Sequence, residues 1–177
     1  MRSRVGQILV IGSRKMQQTS ADHSENSVGL LGYFSKLGYS KSWSPFLMAL
    51  STEFSQQLSE LELRTLMRRV GVAMAEREAL PPCDALPAVE QAINEVLEKM
   101  SWGVVSVQDL GHSLNIKHAA CPLVNAMGQN SRPWVGGILE GLYQAWFKAL
   151  GAQDALVVKQ IGEYNDLRRE FEFSLSV

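Results

Sequence analysis

Apolar positions from Ser44 onward fall on a helical period three times in succession. Phe46, Leu47, Leu50 and Phe54 share one face between Ser44 and Gln57, and Pro45 suits a first turn. Ser59-Glu60-Leu61-Glu62 has the form of a capping box and predicts a second helix start. Behind it Leu63, Leu66, Met67, Val70 and Met74 follow the i, i+3, i+4, i+7, i+11 pattern, with Arg64, Arg68 and Glu76 elsewhere. Gly71 inside that helix costs about 1 kcal/mol against alanine, which predicts close packing there. Leu80-Pro81-Pro82-Cys83 must stop the helix, because each proline removes an amide donor and pushes the preceding residue out of the α region. Asp84 is the expected N-cap of a third helix, whose stripe is Leu86, Val89, Ile93, Val96, Leu97 and Met100.

The period changes at Trp102-Gly103. Val105 and Val107 alternate with polar residues, Gly111 marks a turn, and Leu114, Ile116 and His118 share one face of a second strand. Ala119 to Arg132 reads as a loop, and a fourth helix is expected from Pro133 to Leu150. In it Trp134, Ile138, Leu139, Leu142, Tyr143, Trp146, Phe147 and Leu150 cover an apolar arc of roughly 220°. A helix against one sheet needs only about 100°, so cover from two sides is expected, by the first three helices or by another copy of the chain. Gly136, Gly137 and Gly141 would permit close backbone approach. Strands are expected at Leu156 to Ile161 and at the C-terminus. In the latter Phe171, Phe173, Leu175 and Val177 alternate with Glu170, Glu172, Ser174 and Ser176. The expected fold class is α+β: three N-terminal helices, then β-β-α-β-β with a small antiparallel sheet packed on helices. Residues 1–40, polar between Gln17 and Ser27 and then punctuated by Gly29, Gly32 and Gly38, read as a flexible arm before one domain over residues 41–177.

Charge narrows the class of partner. Seventeen basic residues against eighteen acidic leave no basic excess for nucleic acid or an anionic membrane. No apolar run approaches the ~18 residues of a membrane helix, so an integral membrane protein is not expected. Ile8-Leu9-Val10-Ile11 is too short for a signal peptide, and Met16 offers an alternative start. With Cys83 and Cys121 as the two cysteines, free thiols in the cytoplasm are the simpler expectation.

Candidate chemistry is sparse. Cys83 has no adjacent base and Asp84 beside it, so an inert, buried thiol is expected. His118-Ala119-Ala120-Cys121 is one weak ligand pair, with His112 and Cys83 remote; structural zinc usually shows two tight pairs. His118 is better read as a hydrogen-bonded histidine at a strand end. Glu140 is the only acid of the fourth helix and shares its narrow polar face with Gln144 and Lys148, which suits a solvated or hydrogen-bonded carboxylate better than a general base. Trp102, Trp134, Tyr143 and Trp146 sit at core or interface spacing rather than on a sugar platform. No phosphate loop, nucleotide fingerprint or nucleophile elbow is present, and no cofactor is expected.

An ordered series of segments carries a resemblance. Gly71-x-x-Met74-x-x-Arg77, Leu80-Pro81-Pro82-Cys83, Leu86 with Glu90 and Asn94, Trp102-Gly103, Ile116-x-His118 and Leu139-Glu140-Gly141-Leu142-Tyr143 with Trp146 resemble the family of bacterial cellulose synthase operon protein D. The likeness runs from about Trp43 to Val177; the first ~40 residues have no counterpart in it. It implies a non-catalytic accessory protein that assembles as an octameric ring, a tetramer of dimers. Such a ring is expected to organise cellulose synthase complexes so that glucan chains crystallise, with passages for glucan and a proline-rich scaffold protein as partner. It offers no catalytic residues. Gly71, Arg77, Pro81, Pro82, Cys83, Trp102, Gly103, His118, Trp134, Glu140, Gly141, Leu142, Tyr143 and Trp146 are then fold or assembly candidates. The expected place is the cytoplasmic side of the inner-membrane synthase complex, the periplasm being the alternative. A small-molecule-binding α+β module, and more remotely an enzyme using Glu140, His118 and Cys83, are the competing readings.

Overall fold

A computed structural model describes residues 43–177, so the arm expected over residues 1–40 lies outside the described residues. In chain order the elements are α1 (Ser44–Gln57), α2 (Glu60–Arg77), α3 (Leu86–Met100), β1 (Val104–Asp109), β2 (Leu114–Ala119), α4 (Leu123–Met127), a 3-10 turn (Gln129–Ser131), α5 (Arg132–Val135), α6 (Gly137–Ala149), β3 (Val157–Gln160) and β4 (Phe171–Ser176). The four strands form one antiparallel sheet in the order β1-β2-β4-β3. This is the expected α+β class.

The capping box at Ser59 is formed: Glu62 N–H donates to Ser59 Oγ, and Glu62 Oε2 accepts from Ser59 N–H at 2.9 Å. The expected fourth helix is divided at Gly136 into α5 and α6, and the expected loop before it holds α4 and the 3-10 turn. Asp84 does not cap α3. Ala85 occupies the N-cap with no side-chain bond, because Pro87 in the first turn already removes one of the amides a cap would serve. On α2 the buried positions are Leu63, Met67, Gly71 and Ala75, and Val70 is exposed. The contact follows the i+4 row through the two small residues, since these allow a second helix to come close and so turn Val70 off the interface.

That second helix is α6. A Cβ built on Gly71 would lie 2.0 Å from the Ile138 carbonyl oxygen and 2.7 Å from Leu142 N. One built on Gly141 would lie 2.0 Å from the Arg68 carbonyl oxygen, and one on Gly137 2.6 Å from that of Arg64. The two helices therefore touch backbone to backbone. The other side of α6 meets the sheet, where Tyr143 packs edge-on to Phe173 at 5.7 Å. The wide apolar arc is thus covered by α2 and the sheet of the same chain, and it leaves no face of α6 waiting for a second copy.

Both sheet edges are closed by side chains from helices. On β1, Asn94 accepts from Val105 N–H at 2.8 Å and donates to its carbonyl at 2.9 Å, while Glu90 accepts from Val107 N–H at 2.7 Å. On β3, Gln144 accepts from Val158 N–H and donates to the Leu156 carbonyl, and Glu140 accepts from Gln160 N–H. Each edge uses an acid and an amide four residues apart. Four helical residues rise about 6 Å, close to the roughly 6.7 Å between alternate residues of a strand, so one helix face serves successive outward-pointing amides. Free edges of this kind would otherwise template strand addition.

α1 departs most from expectation. Its apolar residues lie against α4 and the 3-10 turn, but Ser51 is its only fully buried residue. Phe46 is 54% exposed, and Trp43, edge-on to it at 5.8 Å, is 61% exposed.

Candidate functional site

Glu140 is the most committed polar group among the described residues. It is 3% exposed, although its helix position shares a face with the half-buried Gln144 and the exposed Lys148. Arg64 Nη2 reaches its Oε1 at 2.6 Å and Arg68 Nε its Oε2 at 2.8 Å. Arg64 also donates to the Pro133 carbonyl at 2.8 Å and to Gln160 Oε1 at 3.1 Å, and Arg68 to the Val158 carbonyl at 2.9 Å. The carboxylate thus joins α2, α6 and β3. Of the two expectations for it, the hydrogen-bonded one holds and the solvated one does not, because α2 lies over the polar face and brings two guanidiniums with it. Both carboxylate oxygens are thus already engaged, by two guanidiniums and the Gln160 amide. Beside the cluster a groove of 410 Å³ opens between α2 and β3.

A second cluster centres on His118, which is fully buried. Its Nε2 lies 2.6 Å from the Trp102 carbonyl and its Nδ1 2.6 Å from the Tyr143 hydroxyl. A carbonyl only accepts, so Nε2 carries the hydrogen and the neutral ring accepts the Tyr143 O–H at Nδ1. Gly103, at φ +101°, delivers the chain to this point; a Cβ there would lie 2.2 Å from the Ala119 carbonyl oxygen. Tyr143 also packs edge-on to Trp146, whose indole N–H donates to the Glu78 carbonyl at 2.8 Å and so pins the end of α2. Both ring nitrogens of His118 are engaged, and among the described residues no three His, Cys, Asp or Glu side chains converge as metal ligands would.

Burial pushes the His118 pKa down from 6.5 to about 4, against the Trp102 carbonyl bond, which raises it. The unfolded chain takes up this proton near pH 6.5 and the folded chain only near 4, so the stabilisation is complete above pH 6.5 and is lost as pH falls toward 4. The loss amounts to about 3 kcal/mol. Urea unfolding across that window should show the slope, and His118→Gln should flatten it. An unchanged slope in the variant would contradict the buried neutral ring. Burial likewise pushes the Cys121 thiol up to about 12 and the Tyr143 phenol well above its usual range.

The other candidates lie apart. Arg77, in the last turn of α2, and Pro81 and Pro82 beyond it are exposed. Cys83 is half-buried, not buried as expected, because the two prolines hold it at the outside of the corner; its Sγ lies 3.2 Å from the Pro81 carbonyl. Burial, then Asp84 and Glu95, raise its pKa, which keeps it a thiol. Trp134 is buried on α5, and Leu142 lies in the α2–α6 contact. Glu140, His118 and Cys83 are therefore three separate places. Sequence reasoning missed Arg64, Arg68 and Gln160 as partners of Glu140; the available signal was two arginines at i and i+4 facing a single acid.

The cellulose synthase D-subunit family matches residues 29–173. The match begins ahead of Trp43, so part of the segment that showed no counterpart to the family does have one. Two proteins of Komagataeibacter xylinus named cellulose synthase operon protein D are each 34% identical. One aligns over 124 residues, 68% of this chain and 72% of the relative; the other over 129 residues, 71% and 82%. A third of that name, from Komagataeibacter sucrofermentans, is 35% identical over 107 residues, 59% of this chain and 68% of its own.

Proposed function

The chain belongs to the cellulose synthase D-subunit family, and from that membership and the geometry above we propose that it is a non-catalytic accessory component of bacterial cellulose synthesis. In this reading it is an oligomeric scaffold, an octamer by family resemblance, that arrays synthase complexes so that emerging glucan chains align and crystallise. It works on the cytoplasmic side of the membrane-bound complex, with a proline-rich scaffold protein as a further partner. Among the described residues no helix is long and apolar enough to cross a membrane.

One observation carries the reading. The polar groups that resemble chemistry are committed to holding the fold, whereas Trp43 and Phe46 at the start of α1 are left uncovered by the described residues. Trp43, at the N-cap of that helix, and Phe46 in its first turn are exposed together and touch edge-on. Aromatics are enriched where protein interfaces form. Sealed sheet edges and a covered apolar arc on α6 leave the start of α1, among the described residues, as the face best suited to a second copy of the chain.

The test is the oligomeric state. Light scattering should find wild-type chain as an oligomer at micromolar concentration, and the double variant Trp43→Glu, Phe46→Glu as a smaller species of unchanged melting temperature, since exposed substitutions usually stay within about 0.5 kcal/mol. A wild-type monomer, or a double variant that assembles normally, would refute the assignment of this face.

A further inference from the structure

The groove beside Glu140 has a chemistry that the scaffold reading does not use. Leu61, Arg64, Thr65 and Arg68 line one wall. They stand at i, i+3, i+4 and i+7 of α2 and so form a single stripe about 10 Å long. Lys159 of β3 stands on the opposite wall, and Gly162 leaves the far end open, with nothing within 4 Å of where its side chain would begin. Three cations thus border the groove, and its one carboxylate, Glu140, is already shared by two of them. Among the described residues Lys159 makes no ion pair.

We infer that this groove binds an acidic peptide segment of a partner protein. The local positive charge is set against the rest of the domain, for residues 43–177 hold 11 of the 17 basic and 16 of the 18 acidic residues. Residues 1–42 carry the other six basic and two acidic residues, so the chain's own N-terminal segment has the wrong sign to fill the groove. Length selects a segment over a single anion, because a stripe of about 10 Å holds two carboxylates side by side. Leu61, 76% exposed at the lip, offers an apolar contact beside the charges. Nucleic acid fits less well, since the lining has no aromatic on which a base would stack. A flat membrane surface fits less well because Arg64 is recessed, its side chain 27% exposed. With β3 sealed by Glu140 and Gln144, the segment binds through its carboxylates and not as an added strand.

Fluorescence anisotropy with a labelled hexaglutamate peptide on the full chain tests this. The expected result is saturable binding that weakens with salt. Lys159→Glu and, separately, Thr65→Glu should each weaken it by at least about tenfold. Both side chains are exposed and on different elements, so melting temperatures should stay near wild type. Absence of binding, or equal binding by wild type and both variants, would overturn the inference. So would stoichiometric binding of inorganic phosphate without the peptide, which would make this a small-anion site. The experiment reads a monomeric event and does not depend on self-assembly through α1, so the two proposals fail separately.

Discussion

Replacing Gly141 with alanine should unfold or severely destabilise the protein. Alanine is the better helix former by about 1 kcal/mol, so propensity alone predicts the opposite sign. The new Cβ would lie 2.0 Å from the Arg68 carbonyl oxygen, with the Arg68 carbonyl carbon at 2.8 Å. These are backbone atoms of α2, so no side chain can move out of the way. The helices must separate, and separation pulls on the Trp146–Glu78 bond and on both arginines of Glu140. A loss of at least about 4 kcal/mol is expected, in the range reserved for such clashes. Gly71→Ala should behave alike. Gly137→Ala, with its nearest backbone contact at 2.6 Å, should be milder. Urea unfolding measures the series, and a Gly141→Ala protein as stable as wild type would mean that the helices are not in backbone contact.

Glu140→Ala is the second large effect. Removing the carboxylate leaves Arg64 and Arg68 facing each other beneath β3 and orphans the Gln160 amide. Breaking a buried ion pair by deleting one partner costs about 3–5 kcal/mol. Exposure of Arg68, at 40% of its side chain, lets water recover part of this, so the lower end is expected. Glu140→Gln keeps an acceptor and should fall between wild type and alanine. Hydrogen exchange should show the Gln160 amide losing protection in Glu140→Ala. A loss under about 1 kcal/mol would place Glu140 among ordinary surface ion pairs.

These two effects also mark where the sequence was legible. Gly71 announced a close approach because a glycine in mid-helix needs a compensating contact, and Gly137 and Gly141 supplied the other half. Period gave the strands and long helices, and the capping box marked the start of α2. The division at Gly136 and the short α4 were hidden, because so few residues cannot establish a period. Val70 was misassigned since periodicity finds a face but not the line along which a neighbour crosses it. Glu140 was ambiguous for a related reason: a polar stripe that seals a sheet edge reads the same as one that faces water. Its partners at Arg64, Arg68 and Gln160 are remote in sequence, as Val105 is from Asn94. The exposure of Phe46 among the described residues was likewise invisible, because an apolar stripe states that cover is needed and not what provides it.

Whether this chain arranges cellulose synthesis or takes part in performing it is decided most directly in cells of a cellulose producer with and without the chain. Two quantities are read: the polymerisation rate per synthase in isolated membranes and the crystallinity of the secreted fibre. A scaffold leaves the rate unchanged and its loss lowers crystallinity, with the Trp43→Glu, Phe46→Glu variant unable to restore order. A rate per synthase that collapses without the chain and recovers on adding it would contradict a scaffold and point to a part in the chemistry.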